Sequence, residues 1–97
     1  MTNLNGKVAV ITGGNSGIGL ASAKLFAERG AQVVITGRRQ QALDEAVQEI
    51  GPLAIAIRGD VADPKHHRKV ADIVRDRFGA VDIYIANAGI NTITSSA

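Results

Sequence analysis

Four short apolar runs constrain this chain more than any other feature: Val8-Ala9-Val10-Ile11, Val33-Val34-Ile35, Leu53-Ala54-Ile55-Ala56-Ile57, and the stretch from Val81 to Ala86, which only Asp82 interrupts. They are rich in β-branched residues and show no polar alternation, the pattern of strands covered on both faces in a parallel sheet. Between them lie segments with helical spacing: Ile18, Ala21, Ser22 and Leu25, then Leu43, Ala46, Val47 and Ile50, then Val70, Ile73, Val74 and Phe78. Each spacing predicts a helix that is apolar on one side. Gly30, Gly51 and Gly79 follow the last periodic residues, where left-handed helix ends are common, and Asp63-Pro64 offers an N-cap with proline at the first helical position.

The order is therefore β-α-β-α-β-α-β, and right-handed crossovers turn it into an α/β doubly wound parallel sheet with helices on both faces. A Rossmann-type sheet of about four strands, order 3-2-1-4, with three helices is the leading expectation. A flavodoxin-like order uses the same alternation, so periodicity alone does not choose between them. At 97 residues the chain is read as one partial domain, 1–97, of modest stability.

Composition removes several function classes. With 11 Lys and Arg against 9 Asp and Glu the net charge is only +2, and the basic residues are interspersed with acidic ones, so neither a nucleic acid nor a membrane is expected as a partner. No apolar stretch has the length of a membrane span and the first five residues lack the regions of a signal peptide, which places the expectation in the cytoplasm. The chain has no cysteine, so disulfides, thiolate metal sites and a cysteine nucleophile are absent. His66-His67 has no second ligand cluster at metal spacing, and both are expected to be solvated; no metal is expected. Asp72, Arg75, Asp76 and Arg77 read as a water-facing helix side.

The turn after the first strand reads Thr12-Gly13-Gly14-Asn15-Ser16-Gly17-Ile18-Gly19 and opens directly into the first helix. Glycines there let the backbone bend sharply and approach a pyrophosphate, while the N–H groups and positive end of the helix attract its charge. The turn is not a P-loop, because no Gly-Lys-Ser/Thr closes it, and its first glycine interval is wider than in G-x-G-x-x-G. The alternative is a helix-entry turn with no ligand. About twenty residues on, where a carboxylate would receive the ribose hydroxyls of NAD, the chain has Thr36-Gly37-Arg38-Arg39. An arginine there can form a forked, charge-assisted pair with the 2′-phosphate of NADP, so NADP is preferred and NAD stays the alternative. Arg38 ranks above Arg39, and both could instead be solvated residues starting the next helix.

The spacing Thr-Gly-x-x-x-Gly-x-Gly resembles the glycine motif of the short-chain dehydrogenase/reductase family, and the resemblance runs from about Lys7 to Gly89. It implies that Gly13, Gly17, Ile18 and Gly19 take the pyrophosphate, with Asn15 and Ser16 near the adenosine ribose and its 2′-phosphate. It further implies that Asp60 and Val61, after the third strand, hold the adenine, and that Asn87, Ala88 and Gly89, after the fourth, line the cofactor cleft. Taken singly, Asp60 could be a turn residue and Asn87-Ala88-Gly89 a plain turn.

The family's chemistry, as the resemblance implies it, is hydride transfer between a nicotinamide and a carbonyl or alcohol, with a Tyr-x-x-x-Lys pair and a serine completing the site. The sole tyrosine, Tyr84, lies inside the fourth apolar run with Ala88 four residues on, and is expected to be structural. No catalytic residue is therefore assigned. The segment 91–97 reads as a loop, although Ile93-Thr94-Ser95-Ser96 resembles the strand that carries the family's serine, which makes Ser96 a secondary candidate. The chain is expected to be the NAD(P)(H)-binding portion of an oxidoreductase and catalytically incomplete alone. A non-catalytic minimal or designed dinucleotide-binding module is the alternative, and a purely structural α/β domain the third reading. An exposed edge on the fourth strand would favour a homo-oligomer.

Overall fold

A computed structural model of the chain describes residues 3–13 and 17–86. Its elements follow in the order β1 (Val8–Thr12), α1 (Gly17–Glu28), β2 (Gln32–Gly37), α2 (Gln40–Ile50), β3 (Ala54–Arg58), α3 (Pro64–Phe78) and β4 (Ile83–Ala86). The four strands form one parallel sheet in the order β3-β2-β1-β4. This is the Rossmann-type arrangement and sets the flavodoxin-like order aside.

Successive residues of a strand point to opposite faces, so each apolar run feeds two cores. Val8, Val10, Val34 and Ile57 meet Val70 and Val74 of α3 on one side of the sheet. Ile11, Val33 and Ile35 meet Ala23 of α1 with Leu43 and Ala46 of α2 on the other. The stripes expected on α2 and α3 face these cores. The stripe expected on α1 does not: Ile18 and Leu25 are 80% and 45% exposed, while Gly19 and Ala23 are buried and Phe26 and Ala27 pack beside them. α1 is apolar on two adjacent stripes, so helical spacing fits two rotations of the helix. Packing against β1 and β2 selects the one led by the smaller side chains, which lets the helix approach the sheet closely.

The ends of the elements obey local chemistry. The Asp63 carboxylate accepts the Lys65 N–H at 2.9 Å, with Pro64 opening α3, and Gly30, Gly51 and Gly79 all have positive φ after their helices. β4 begins later than the apolar run that predicted it. Asp82 intervenes, its carboxylate accepting the Val8 N–H at 2.8 Å and its own N–H donating to the Val8 carbonyl at 2.9 Å, which ties the entry of β4 to that of β1.

The histidine pair overturns its expectation. His66 is only 5% exposed, and His67 is partly buried, its Nε2 2.6 Å from the Val61 carbonyl and its Nδ1 3.1 Å from the Tyr84 hydroxyl. The cause for His66 is a fit between elements: its ring packs against Gly59, where a Cβ would collide with it, so the imidazole enters the space that a side chain on the β3–α3 connection would fill. Among the described residues, no helix is long and apolar enough to cross a membrane.

Candidate functional site

Parallel register brings the carboxyl ends of all four strands to one rim. Thr12 lies opposite Thr36 and Ala86, and Gly37 lies opposite Arg58. Open α/β sheets bind ligands at this rim. Gly13, with φ of 70°, continues the pairing there by donating its N–H to the Thr36 carbonyl at 2.8 Å. Gly17 opens α1 at φ of 57°, a conformation that a side chain would strain. Ile18 projects from the helix entry with four-fifths of its surface exposed, and Gly19 is buried against the sheet. Asn15 and Ser16 lie outside the described residues, as do Asn87, Ala88, Gly89 and Ser96.

The turn after β2 is held from β3. The Gly59 N–H donates to the Gly37 carbonyl at 2.8 Å, and Arg58 Nε donates to the Arg38 carbonyl at 3.1 Å. Beside this turn opens a cleft of about 460 Å³, lined by Arg38, Gln40, Arg58, Gly59, Asp60 and Lys69. Three cations and one carboxylate therefore share it, and among the described residues none of the three cations enters an ion pair. Arg39 is placed differently: it caps α2 with extended backbone, makes no side-chain cap bond and does not line the cleft.

Asp60 serves its own turn. Its Oδ1 accepts the Ala62 N–H at 2.9 Å and its carbonyl accepts the Asp63 N–H at 2.9 Å, and the residue is exposed. Val61, 42% exposed, is held through its carbonyl by His67. Beneath them, burial pushes the His66 imidazole below its ordinary pKa of 6.5, with the His67 and Lys69 charges acting in the same direction and Asp63 and Asp60 opposing. Its Nε2 is buried with no hydrogen-bond partner among the described residues.

Sequence reasoning missed Arg58, Lys69, Gln40 and His67. The available signal was positional: Arg58 directly precedes Gly59-Asp60, and Lys69 stands three residues beyond His66, the separation that puts two side chains on neighbouring parts of a helix face. Exposed apolar side chains at Ile18 and Val61, N–H groups at a helix entry and unpaired cations beside the β2 turn fit a long ligand that is anionic and partly aromatic.

The family model for short chain dehydrogenase matches residues 7–97. An oxidoreductase of Sarocladium schorii is 46% identical over 91 residues, covering 94% of this chain and 36% of its own length. An NADP-dependent (R)-specific alcohol dehydrogenase of Lentilactobacillus kefiri is 43% identical over 89 residues, covering 90% of this chain and 35% of its own. The crystal structure of L-sorbose reductase from Gluconobacter frateurii, complexed with NADPH and L-sorbose, superposes with a TM-score of 0.85 at 40% identity, covering 96% of this chain and 37% of that one. The chain thus spans little more than a third of the length of these relatives.

Proposed function

Because the chain belongs to the short chain dehydrogenase family, we propose that its strand ends form the binding half-site for a nicotinamide dinucleotide, NADP(H) in preference to NAD(H). The observation that carries this reading is the cleft beside the β2 turn, where Arg38 meets two further cations and no carboxylate occupies positions 36–39. A carboxylate there would accept ribose hydroxyls and repel a phosphate; guanidinium groups do the reverse.

The pyrophosphate lies along Gly13, Gly17, Ile18 and Gly19, at the N-terminal, positive end of α1. Asn15 and Ser16 adjoin the ribose. Asp60 and Val61 receive the adenine, the carboxylate oxygen not used by Ala62 accepting from the exocyclic amine. Asn87, Ala88 and Gly89 line the route to the nicotinamide. When bound, the cofactor supplies hydride transfer to or from a carbonyl or alcohol; the part of this chain is to bind it, orient it and fix the choice between the two dinucleotides. Tyr84 is not assigned the proton transfer, since it is followed at position 88 by alanine and its hydroxyl is engaged with His67.

Calorimetric titration of the chain with NADP⁺ and NAD⁺ tests this. NADP⁺ is expected to bind more tightly, and Arg38→Ala to reduce that preference roughly tenfold to a hundredfold, the worth of one charge-assisted contact. Equal binding of both, or binding of neither, overturns it. The same reading extends to homo-association through the outer edge of β4, which has no strand neighbour among the described residues. Light scattering that shows a monomer at every concentration refutes that part.

A further inference from the structure

We propose that Arg58 and Lys69 are specificity-determining residues that complete, with Arg38, a three-cation cradle for the 2′-phosphate of the dinucleotide. The inference rests on the NADP(H) reading above and adds the residues that enforce it.

The three charges come from three different elements. Arg38 follows β2, Arg58 ends β3 and Lys69 sits one turn into α3, and all three line the same cleft. Like charges brought together with too little counter-charge repel one another, and a dianionic group is what such an arrangement binds. Asp60, the one carboxylate in the cleft among the described residues, offsets only one of the three charges.

Arg58 has two tasks that only a guanidinium performs together. Its Nε–H donates to the Arg38 carbonyl at 3.1 Å, which fixes the backbone of the turn that carries Arg38. The four N–H groups on its terminal nitrogens are not used by that bond and form the fork that matches a phosphate edge. Lysine at 58 would keep the charge and lose the simultaneous grip.

Lys69 owes its place to His66. The imidazole is seated against Gly59, where a Cβ would collide with it, and that contact docks the first turn of α3 against a residue that lines the cleft. Three residues on, the helix turns Lys69 toward the cleft that Gly59 and Asp60 border. The packing of a buried ring thus delivers an exposed ammonium.

The test is calorimetric titration of the whole chain with NADP⁺, NAD⁺, adenosine 2′,5′-bisphosphate and adenosine 5′-monophosphate, for wild type, Lys69→Ala, Arg58→Ala and Arg58→Lys, with circular dichroism of each variant. Lys69→Ala is expected to weaken NADP⁺ and the bisphosphate by about threefold to tenfold, the worth of an exposed and partly screened charge, and to leave NAD⁺ within twofold. Arg58→Ala should weaken them further, and Arg58→Lys should recover part of the loss. Tighter binding of the bisphosphate than of adenosine 5′-monophosphate by wild type shows that the recognised group is the 2′-phosphate and not the nicotinamide end. The inference is overturned if Arg38→Ala removes the NADP⁺ preference while Lys69→Ala and Arg58→Ala leave the NADP⁺ to NAD⁺ ratio within twofold of wild type. A wild-type chain that binds both dinucleotides equally overturns the NADP(H) reading itself, and this inference with it.

Discussion

β2 and β4 flank the same strand, pair with it in the same parallel sense, and are written in similar apolar residues, yet they live in different surroundings. Val33, Val34, Ile35 and Thr36 of β2 are buried, with α1 and α2 over one face and α3 over the other. In β4, Ile83 and Ile85 are partly covered, and Tyr84 and Ala86 are exposed. An apolar run states what a strand is suited to; how much it contributes depends on the helices that reach it.

The largest expected effect follows from that contrast. Ile35→Ala removes a side chain with no exposure and should cost about 2–5 kcal/mol, a large share of the 5–15 kcal/mol typical of whole domains, so the variant should be largely unfolded in mild denaturant. Ile83→Ala in β4 should cost roughly half as much, because part of its surface already meets water. Urea unfolding followed by circular dichroism compares the two. Equal losses would mean that β4 is held as firmly as β2.

Continuous β-branched runs, helix-length spacing and the glycine and proline punctuation were enough to place all seven elements, because these signals are local and the backbone responds to them locally. Strand order was a different matter. The alternation fits two orders, and the register at Thr12, Thr36, Arg58 and Ala86 had to select one. The rotation of α1 was unreadable for a related reason: with apolar residues on two adjacent stripes, the choice belongs to the sheet it packs on. At the rim, Arg38 was readable from its distance after the glycine turn. Arg58 and Lys69 were not, since Arg58 joins Arg38 through the pairing of β3 with β2 and Lys69 through the docking of α3. His66 sits in the polar stretch Lys65-His66-His67-Arg68-Lys69, which reads as solvated; what buries it is the missing Cβ of Gly59 seven residues earlier.

That docking supplies the next prediction. Gly59→Ala forces the new Cβ into the His66 ring and should cost about 1–3 kcal/mol, as overpacking does, with part of the loss recovered in the double variant Gly59→Ala/His66→Ala. Independent, additive losses would show that the two residues do not meet. The same ring gives a pH dependence. Its folded pKa is lowered from 6.5, so between the two values the unfolded chain binds a proton that the folded chain refuses. Stability from this group is complete above about 6.5 and erodes as pH falls from there toward the folded value, with a slope of at most about 1.4 kcal/mol per pH unit. His67 and Lys69 steepen the effect and Asp60 and Asp63 moderate it. His66→Phe should unfold at urea concentrations that vary less between pH 7.5 and 5.5 than those of wild type. Identical pH profiles would place the imidazole in water.

The smallest effect is expected at the far side of the comparison. Tyr84 is half-exposed, and its hydroxyl meets His67 Nδ1 at 3.1 Å while His67 Nε2 lies 2.6 Å from the Val61 carbonyl. Because a carbonyl can only accept, Nε2 donates to Val61 while Nδ1 pairs with the tyrosine hydroxyl, so this bridge runs from β4 through α3 to the segment after β3. An exposed hydrogen bond of this kind trades against water, and Tyr84→Phe should cost about 0.5 kcal/mol in urea unfolding, with an unchanged dependence on denaturant. Its more telling readout is binding, since releasing His67 loosens Val61 where the adenine is to lie: affinity for NADP⁺ and NAD⁺ should fall together, by about twofold to threefold, without altering their ratio. A stability loss above about 1.5 kcal/mol would show that β4 is anchored by this bridge as firmly as β2 is by burial, and the contrast between the two strands would then fail.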